Sequence, residues 1–179
     1  MDDLAIVKIE NRTDAAAIAH LGAQTFSETF GHLYKPEDLS LFLEGSHSIA
    51  SYEKLIDDPE ATLWAAKTNA GEYVGYSVVS ACGLPVPNMP ENSGELMRFY
   101  IDADYQGGGL GNQMLSLALD QMDKQFAHQF LSVYAENFGA QRLYARYGFE
   151  IIHQYHYMVG NHADPEYICL LYTSPSPRD

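Results

Sequence analysis

The chain has 179 residues, 46% of them apolar, which fits one domain and supplies enough material for a core. Its formal charge is −14, and its few lysines and arginines form no cluster able to hold a phosphate backbone, so nucleic-acid binding is excluded. No apolar run is long enough to span a bilayer, and Met1-Asp2-Asp3-Leu4 opens with acid where a secretory leader carries basic charge, so a cytoplasmic protein without membrane contact is expected.

In chain order, Ile6, Val7 and Ile9 predict an opening strand, and Thr13-Asp14 offers capping oxygens for a helix reaching about Phe30. Its apolar positions Ala17, Ile18, Leu21 and Thr25 keep helical spacing. A second helix starts near Pro36 and stops around Gly45, with a short one before Pro59. Two β-rich runs, 61–67 and 73–80, flank the turn residues Asn69-Ala70-Gly71 and read as a hairpin. The stretch 83–94, with three prolines, is a loop.

Then come a strand over 95–101, a glycine-rich turn over 102–109 and an amphipathic helix over 110–126. Gly107, Gly108, Gly109 and Gly111 leave main-chain N–H groups bare where the helix dipole adds positive charge, an arrangement suited to a pyrophosphate. Arg98 and Lys124 are the only bases between Thr68 and Gln141, so a phosphate held here depends on backbone donors. No Gly-Lys-Ser/Thr tripeptide occurs, and no glycine stands at the third position of G-x-G-x-x-G, so neither an ATP loop nor a dinucleotide fingerprint is present. A glycine-rich turn without any ligand remains an open reading of this segment by itself.

The run Gln106-Gly107-Gly108-Gly109-Leu110-Gly111 matches Q/R-x-x-G-x-G/A. After the strand 131–135, Asn137 through Ala140, Tyr144, Arg146, Gly148 and Phe149 follow N-x-x-A-x-x-x-Y-x-K/R-x-G-F. Together these motifs, over residues 5 to 168, resemble the GNAT superfamily of N-acetyltransferases. The resemblance implies an α/β fold of mixed α+β kind: a mostly antiparallel twisted sheet of about six to seven strands flanked by about four helices. It also implies acetyl-CoA as co-substrate and no metal. The strands before the two motifs are expected to splay, with Phe99, Tyr100 and Ile101 offering backbone to the pantetheine arm. The segment Gln106, Gly107, Gly108, Gly109, Leu110, Gly111 and Asn112 would hold the pyrophosphate. Asn137 and Ala140 would meet the cofactor arm, although Asn137 reads equally as a plain helix cap. Arg146 carries the motif match and would meet CoA phosphate or solvent.

Acetyl transfer to an amine asks for a base, because an amine of pKa near 10 is neutral in only about one molecule per thousand at pH 7, and for an acid to protonate the departing thiol. The resemblance gives Tyr144 the acid role; a core aromatic is the alternative. Glu95 is the first candidate base, placed by alternation on the strand face of Met97 and Phe99, and otherwise a solvated strand end. Related polyamine enzymes often carry a carboxylate at the position of Met97, so water-mediated transfer to Glu95 or Glu136 stays open.

Thr25-Phe26-Ser27-Glu28-Thr29-Phe30, the stretch 39–43 and His156-Tyr157-Met158-Val159-Gly160 are similar to the bacterial spermidine/spermine (PaiA-type) branch. Residues 1–60 hold twelve acids and four bases, a field that suits a small cationic acceptor. Phe26, Glu28, Phe30, Glu37 and Asp38 are the expected acceptor contacts, the acids reading individually also as solvated helix residues. His153, His156 and His162 lack metal-ligand placement, and Cys82 and Cys169 have neither metal nor redox spacing.

One domain is expected over 1–172 and a disordered tail over 173–179. The stretch 169–179 resembles translated sequencing-adapter DNA. A homodimer through strand edges is plausible on general grounds. The leading reading is polyamine acetylation; acetylation of protein N-termini or lysines, and a non-catalytic acyl-CoA sensor, are the alternatives.

Overall fold

The computed structural model describes residues 3–171, so the tail expected at 173–179 lies outside the described residues. Four strands, β1 (Ala5–Ile9), β2 (Thr62–Lys67), β3 (Tyr73–Ala81) and β4 (Ser93–Ile101), pair antiparallel in succession. The strand β5 (His128–Tyr134) lies parallel to β4. Beyond it come β7 (His162–Leu171) and, at the edge, β6 (Phe149–Val159), both antiparallel. The resulting seven-stranded sheet has the order β1-β2-β3-β4-β5-β7-β6. Residues 169–171 complete β7 and pair with β5 and β6.

The helices are α1 (Ala15–Phe30), α2 (Pro36–Ser46), α3 (Ile49–Asp57), α4 (Leu110–Gln125) and α5 (Phe138–Arg146). Pro36 starts α2 where a missing N–H is harmless, and Ser48 caps α3 by accepting from the Ser51 N–H at 3.1 Å. The start of α1 differs from the sequence expectation. Asn11, not Thr13-Asp14, is the capping residue, accepting from the Thr13 N–H at 3.0 Å to open a short 3-10 turn over Arg12–Asp14. Asp14 instead accepts from the Tyr73 hydroxyl, tying α1 to β3.

Two apolar layers sandwich the sheet. On one side α1 and α3 bury Ile18, Leu21 and Tyr52 against Tyr76 and Val78. On the other, α4 and α5 cover Leu96, Leu131 and Val133 with Leu115, Ala118 and Met122. Truncating a wholly buried residue such as Leu115 to alanine should cost about 2–5 kcal/mol.

Two irregularities of β4 open the sheet for chemistry. Val79 faces Leu96 while Val78 faces Arg98, so Met97 is an extra residue, a bulge. The bulge turns the strand over: Glu95, Arg98 and Tyr100 share the α1 face with Ser80, Val78 and Tyr76, and Leu96 and Phe99 turn to α4. The simple alternation that puts Glu95 and Phe99 on one face is thereby corrected. Second, β4 and β5 pair only from Ser93–His128 to Leu96–Leu131 and then part.

Candidate active site

A cavity of about 350 Å³ lies where β4 and β5 separate. Its floor is the sheet: Glu95, Arg98 and Tyr100 on β4, Ser132 and Tyr134 on β5, Asp164 and Glu166 on β7, Tyr155 and Tyr157 on β6. Aromatic side chains from the α1–α2 region cover it. Phe26 stacks on Tyr34 at 6.0 Å between ring centroids and tilts against Phe42 at 4.7 Å, and Phe30 meets the edge of Tyr134.

On the far side of the gap, Asn137 caps α5, its Oδ1 accepting from the Ala140 N–H at 3.2 Å. Asn137, Ala140 and Tyr144, all on α5 or its first turn, line the same cavity. The Tyr144 ring sits edge-on to Phe149 at 6.0 Å, and burial raises its phenol pKa, so the hydroxyl stays protonated at neutral pH.

The glycine loop follows β4 directly. Gln106 reaches back to donate from Nε2 to the Ile101 carbonyl at 2.9 Å, which fixes the loop's entry. Gly107 and Gly109 have φ of 85° and 89°, values that residues with a β-carbon adopt only with strain, and Gly109 is the N-cap of α4. A Cβ on Gly107, Gly108 or Gly109 would meet no atom within 4 Å, so their main chain faces open space. With the first N–H groups of α4 free of intrahelical partners, this cradle fits a diphosphate. Asn112, one turn in, accepts from the Tyr147 hydroxyl at 3.1 Å and joins α4 to the end of α5.

Charge in the cavity is unevenly held. Glu95 is only 8% exposed and its Oε1 accepts from the Gly83 N–H at 2.7 Å. Burial lifts its pKa, with the Gly83 N–H and the Arg98 charge working against the rise. Arg98 lies over the Tyr52 ring at 5.0 Å. Tyr52 in turn bridges His47 Nδ1 at 2.8 Å and the Tyr76 hydroxyl at 2.7 Å, and burial followed by the Arg98 charge pushes the His47 pKa down to about 3, leaving that ring neutral. Gly22 is required beneath this network, since a Cβ there would stand 2.8 Å from both His47 Nδ1 and the Tyr76 hydroxyl. Glu166 differs: burial first, then the neighbouring Asp164 charge, raises its pKa to about 7, the Ser132 hydroxyl opposing.

The split sheet and the motif-bearing α5 enclose one cavity, and the bare glycine loop opens the helix that follows β4. The sequence pattern of the acetyltransferase (GNAT) family matches residues 24–149. The chain belongs to that family.

An N-acetyltransferase of Lactobacillus delbrueckii subsp. lactis is 24% identical over 94% of this chain and 96% of its own length. The spermine/spermidine N(1)-acetyltransferase of Bacillus subtilis is 33% identical over 84 residues, 45% of this chain and 54% of that protein. Among solved structures, the PaiA N-acetyltransferase from Thermoplasma acidophilum in complex with coenzyme A superposes with a TM-score of 0.69 at 17% identity, covering 90% of this chain and 98% of that one. The chain is therefore a GNAT N-acetyltransferase enzyme.

Several residues singled out in the sequence meet around this acetyltransferase's cavity: Glu95, Phe99, Tyr100, Asn137, Ala140, Tyr144, Phe26 and Phe30. Glu95 is buried rather than a solvated strand end. The three acids expected as acceptor contacts do not line it. Glu28 is exposed and accepts from Gln24, Glu37 is exposed in the first turn of α2, and Asp38 Oδ1 accepts from the Asn161 N–H at 2.9 Å, clasping α2 to the β6–β7 turn. Arg146 is exposed in the last turn of α5, outside the cavity. Missed by sequence reasoning were Tyr34, Tyr155, Tyr157, Asp164 and Glu166. The alternation Tyr155-x-Tyr157 and Asp164-x-Glu166 was the available signal, since period two puts each pair on one face.

Proposed function

We propose that this acetyltransferase moves the acetyl group of acetyl-CoA to a primary amine of a small polycation, a polyamine, by direct attack in a ternary complex. The observation that carries the reading is the cavity itself. It opens into the gap between β4 and β5, is walled by aromatic rings, and contains three carboxylates, Glu95, Asp164 and Glu166, against one guanidinium. Aromatic faces and carboxylates are the chemistry that holds ammonium groups in a partly dry site. The limited match to a spermine/spermidine acetyltransferase supports the same choice.

In this reading Gln106, Gly107, Gly108, Gly109, Leu110, Gly111 and Asn112 receive the diphosphate of acetyl-CoA. The β4 edge over Phe99, Tyr100 and Ile101, left without a neighbouring strand where β5 parts from it, takes its pantetheine arm, with Asn137 and Ala140 opposite. Glu95 accepts the proton of the incoming ammonium, a task its raised pKa suits because a base works best near the working pH. The neutral amine attacks the thioester carbon, forming the carbon–nitrogen bond as the carbon–sulfur bond breaks. Tyr144 protonates the departing thiolate, and the proton that the new amide nitrogen sheds to solvent balances the one by which the phenolate is restored. Holding amine and thioester together contributes the larger part of the acceleration.

A turnover screen reading thiol release tests the assignment across spermidine, spermine, an aminoglycoside and peptide amines. Spermidine or spermine should be the preferred acceptor. Preference for peptide amines would move the protein to N-terminal or lysine acetylation, and CoA binding without turnover on any amine would make it an acyl-CoA sensor.

A further inference from the structure

Asp164 and Glu166 stand two residues apart on β7 and so project from the same sheet face, into the cavity. Register sets Tyr134 and Tyr155 beside Glu166, and Tyr157 beside Asp164. From the connection between α1 and α2, Tyr34 donates its hydroxyl to Asp164 Oδ2. Asp164 is 3% exposed, and its Oδ1 accepts no hydrogen bond. The nearest base is His162, its Nε2 3.1 Å from that oxygen and its side chain 43% exposed.

No lysine or arginine neutralises this pair among the described residues. The ion pairs that lysine and arginine make there join Lys8 to Glu10 and Arg12 to Glu53 and Asp57. Arg98 lies over the Tyr52 ring with its Nη1 unpartnered, makes no ion pair with Asp164 or Glu166, and is not among the influences on Glu166. Mutual repulsion is visible in Glu166, whose ionisation Asp164 opposes. A buried and a half-buried carboxylate whose nearest base is a partly exposed histidine destabilise a fold unless a cation joins them, and the surrounding phenol rings are suited to an ammonium ion.

We propose that Asp164 and Glu166, walled by Tyr34, Tyr134, Tyr155 and Tyr157, form a subsite for a second ammonium group of the acceptor, remote from the nitrogen that is acetylated. This subsite rests on the reading of Glu95 as the residue beside the reacting amine. Glu95 pairs with Phe130, whereas Glu166 pairs with Tyr134 on the other side of β5. At ordinary strand spacings the two backbone positions are roughly 15 Å apart. Inward-reaching glutamate side chains shorten that span, and the Tyr155 and Tyr157 hydroxyls feel the charge of both carboxylates. A monoamine engages one end. A chain with ammonium groups several methylenes apart engages both, so the subsite selects acceptor length and charge, and Tyr34 positions Asp164.

Steady-state turnover with spermidine, 1,4-diaminobutane and butylamine, at saturating acetyl-CoA, tests this. The wild type should favour spermidine over butylamine in kcat/KM by about 30-fold or more, and Asp164→Asn and Glu166→Gln should each cut that ratio by about 10-fold, mostly through the spermidine KM. Glu166→Asp should recover part of the ratio. Because Asp164 is buried, the wild-type melting temperature supplies an arm that needs no variant: spermidine should raise it at concentrations where butylamine does not. Equal loss on spermidine and butylamine in Glu166→Gln would overturn the subsite and make Glu166 part of the chemistry. A wild type that turns over butylamine as efficiently as spermidine would also overturn it while leaving small-amine acetylation standing. Absence of turnover on every amine would remove the acceptor reading first, and the subsite with it.

Discussion

The two sides of the split sheet offer different means of holding a ligand. On the α4–α5 side, the candidate phosphate cradle is bare main chain, the loop at Gly107 to Gly109 followed by a helix start whose Leu110 and Met114 belong to the apolar core. On the α1–α2 side, almost every contact is a side chain, and the wall mixes phenols with carboxylates contributed by β4, β5, β6, β7 and the connection between α1 and α2. A backbone site reads the part of a substrate that never changes; a side-chain site can be retuned residue by residue. The comparison explains how one family can keep a donor and vary the acceptor.

Three experiments would sharpen or break that contrast. The largest effect is expected for Tyr144→Phe, which keeps the ring packed on Phe149 and removes only the hydroxyl. Loss of a positioned acid should lower kcat by about 100-fold or more while the acetyl-CoA KM changes little. Unchanged turnover at neutral pH would reduce Tyr144 to a core residue and weaken the α5 half of the donor side. Next comes Gly109→Val. A β-branched residue at φ 89° should cost about 1–3 kcal/mol of strain and crowd the cradle, and calorimetry should show CoA affinity reduced by an order of magnitude or more while spermidine recognition is preserved. Equal damage to both ligands would mean that the two sides are not separable.

The smallest effect concerns stability. The Glu166 pKa is raised in the folded protein, from 4.5 to about 7, so the native state binds more protons than the unfolded chain between those values. Its contribution therefore lowers stability as pH rises through that window, and the burden is full above about pH 7. Glu166→Gln should raise the melting temperature at pH 8 and change it little at pH 4. A variant less stable than wild type at pH 8 would mean that the carboxylate is compensated by a partner within the chain.

Legibility in the sequence followed the same division. The donor side is built from contiguous stretches, Gln106 to Gly111 and Asn137 to Phe149, in which local spacing is the geometry, so the glycine loop, the cap and Tyr144 fell where expected. The hairpin at Gly71 was legible for the same reason, and the mostly antiparallel sheet through the family resemblance. The acceptor side brings together residues more than a hundred positions apart, such as Tyr34 and Asp164, and no local pattern announces such a meeting. Net charge pointed to acids on the early helices, and these do not line the cavity. Glu28 and Glu37 face solvent and Asp38 is taken up by the Asn161 backbone, while the acids in the cavity are Glu95 from mid-chain and Asp164 and Glu166 from the last strand. Alternation also failed at one point, between Glu95 and Phe99, because pattern reading assumes an unbroken pleat.

Met97 acts on its strand as a one-letter insertion acts on a coding frame. Everything downstream is read on the opposite side: the guanidinium of Arg98 and the phenol of Tyr100 go to the wet chamber, and Phe99 goes to the grease beneath α4. Forcing Met97 into a regular pleat would exchange these assignments and drive a charged group into hydrocarbon, whereas deleting it would leave them as they are. The strand's irregularity is thus what allows one short segment to serve a dry layer and a polar chamber at once.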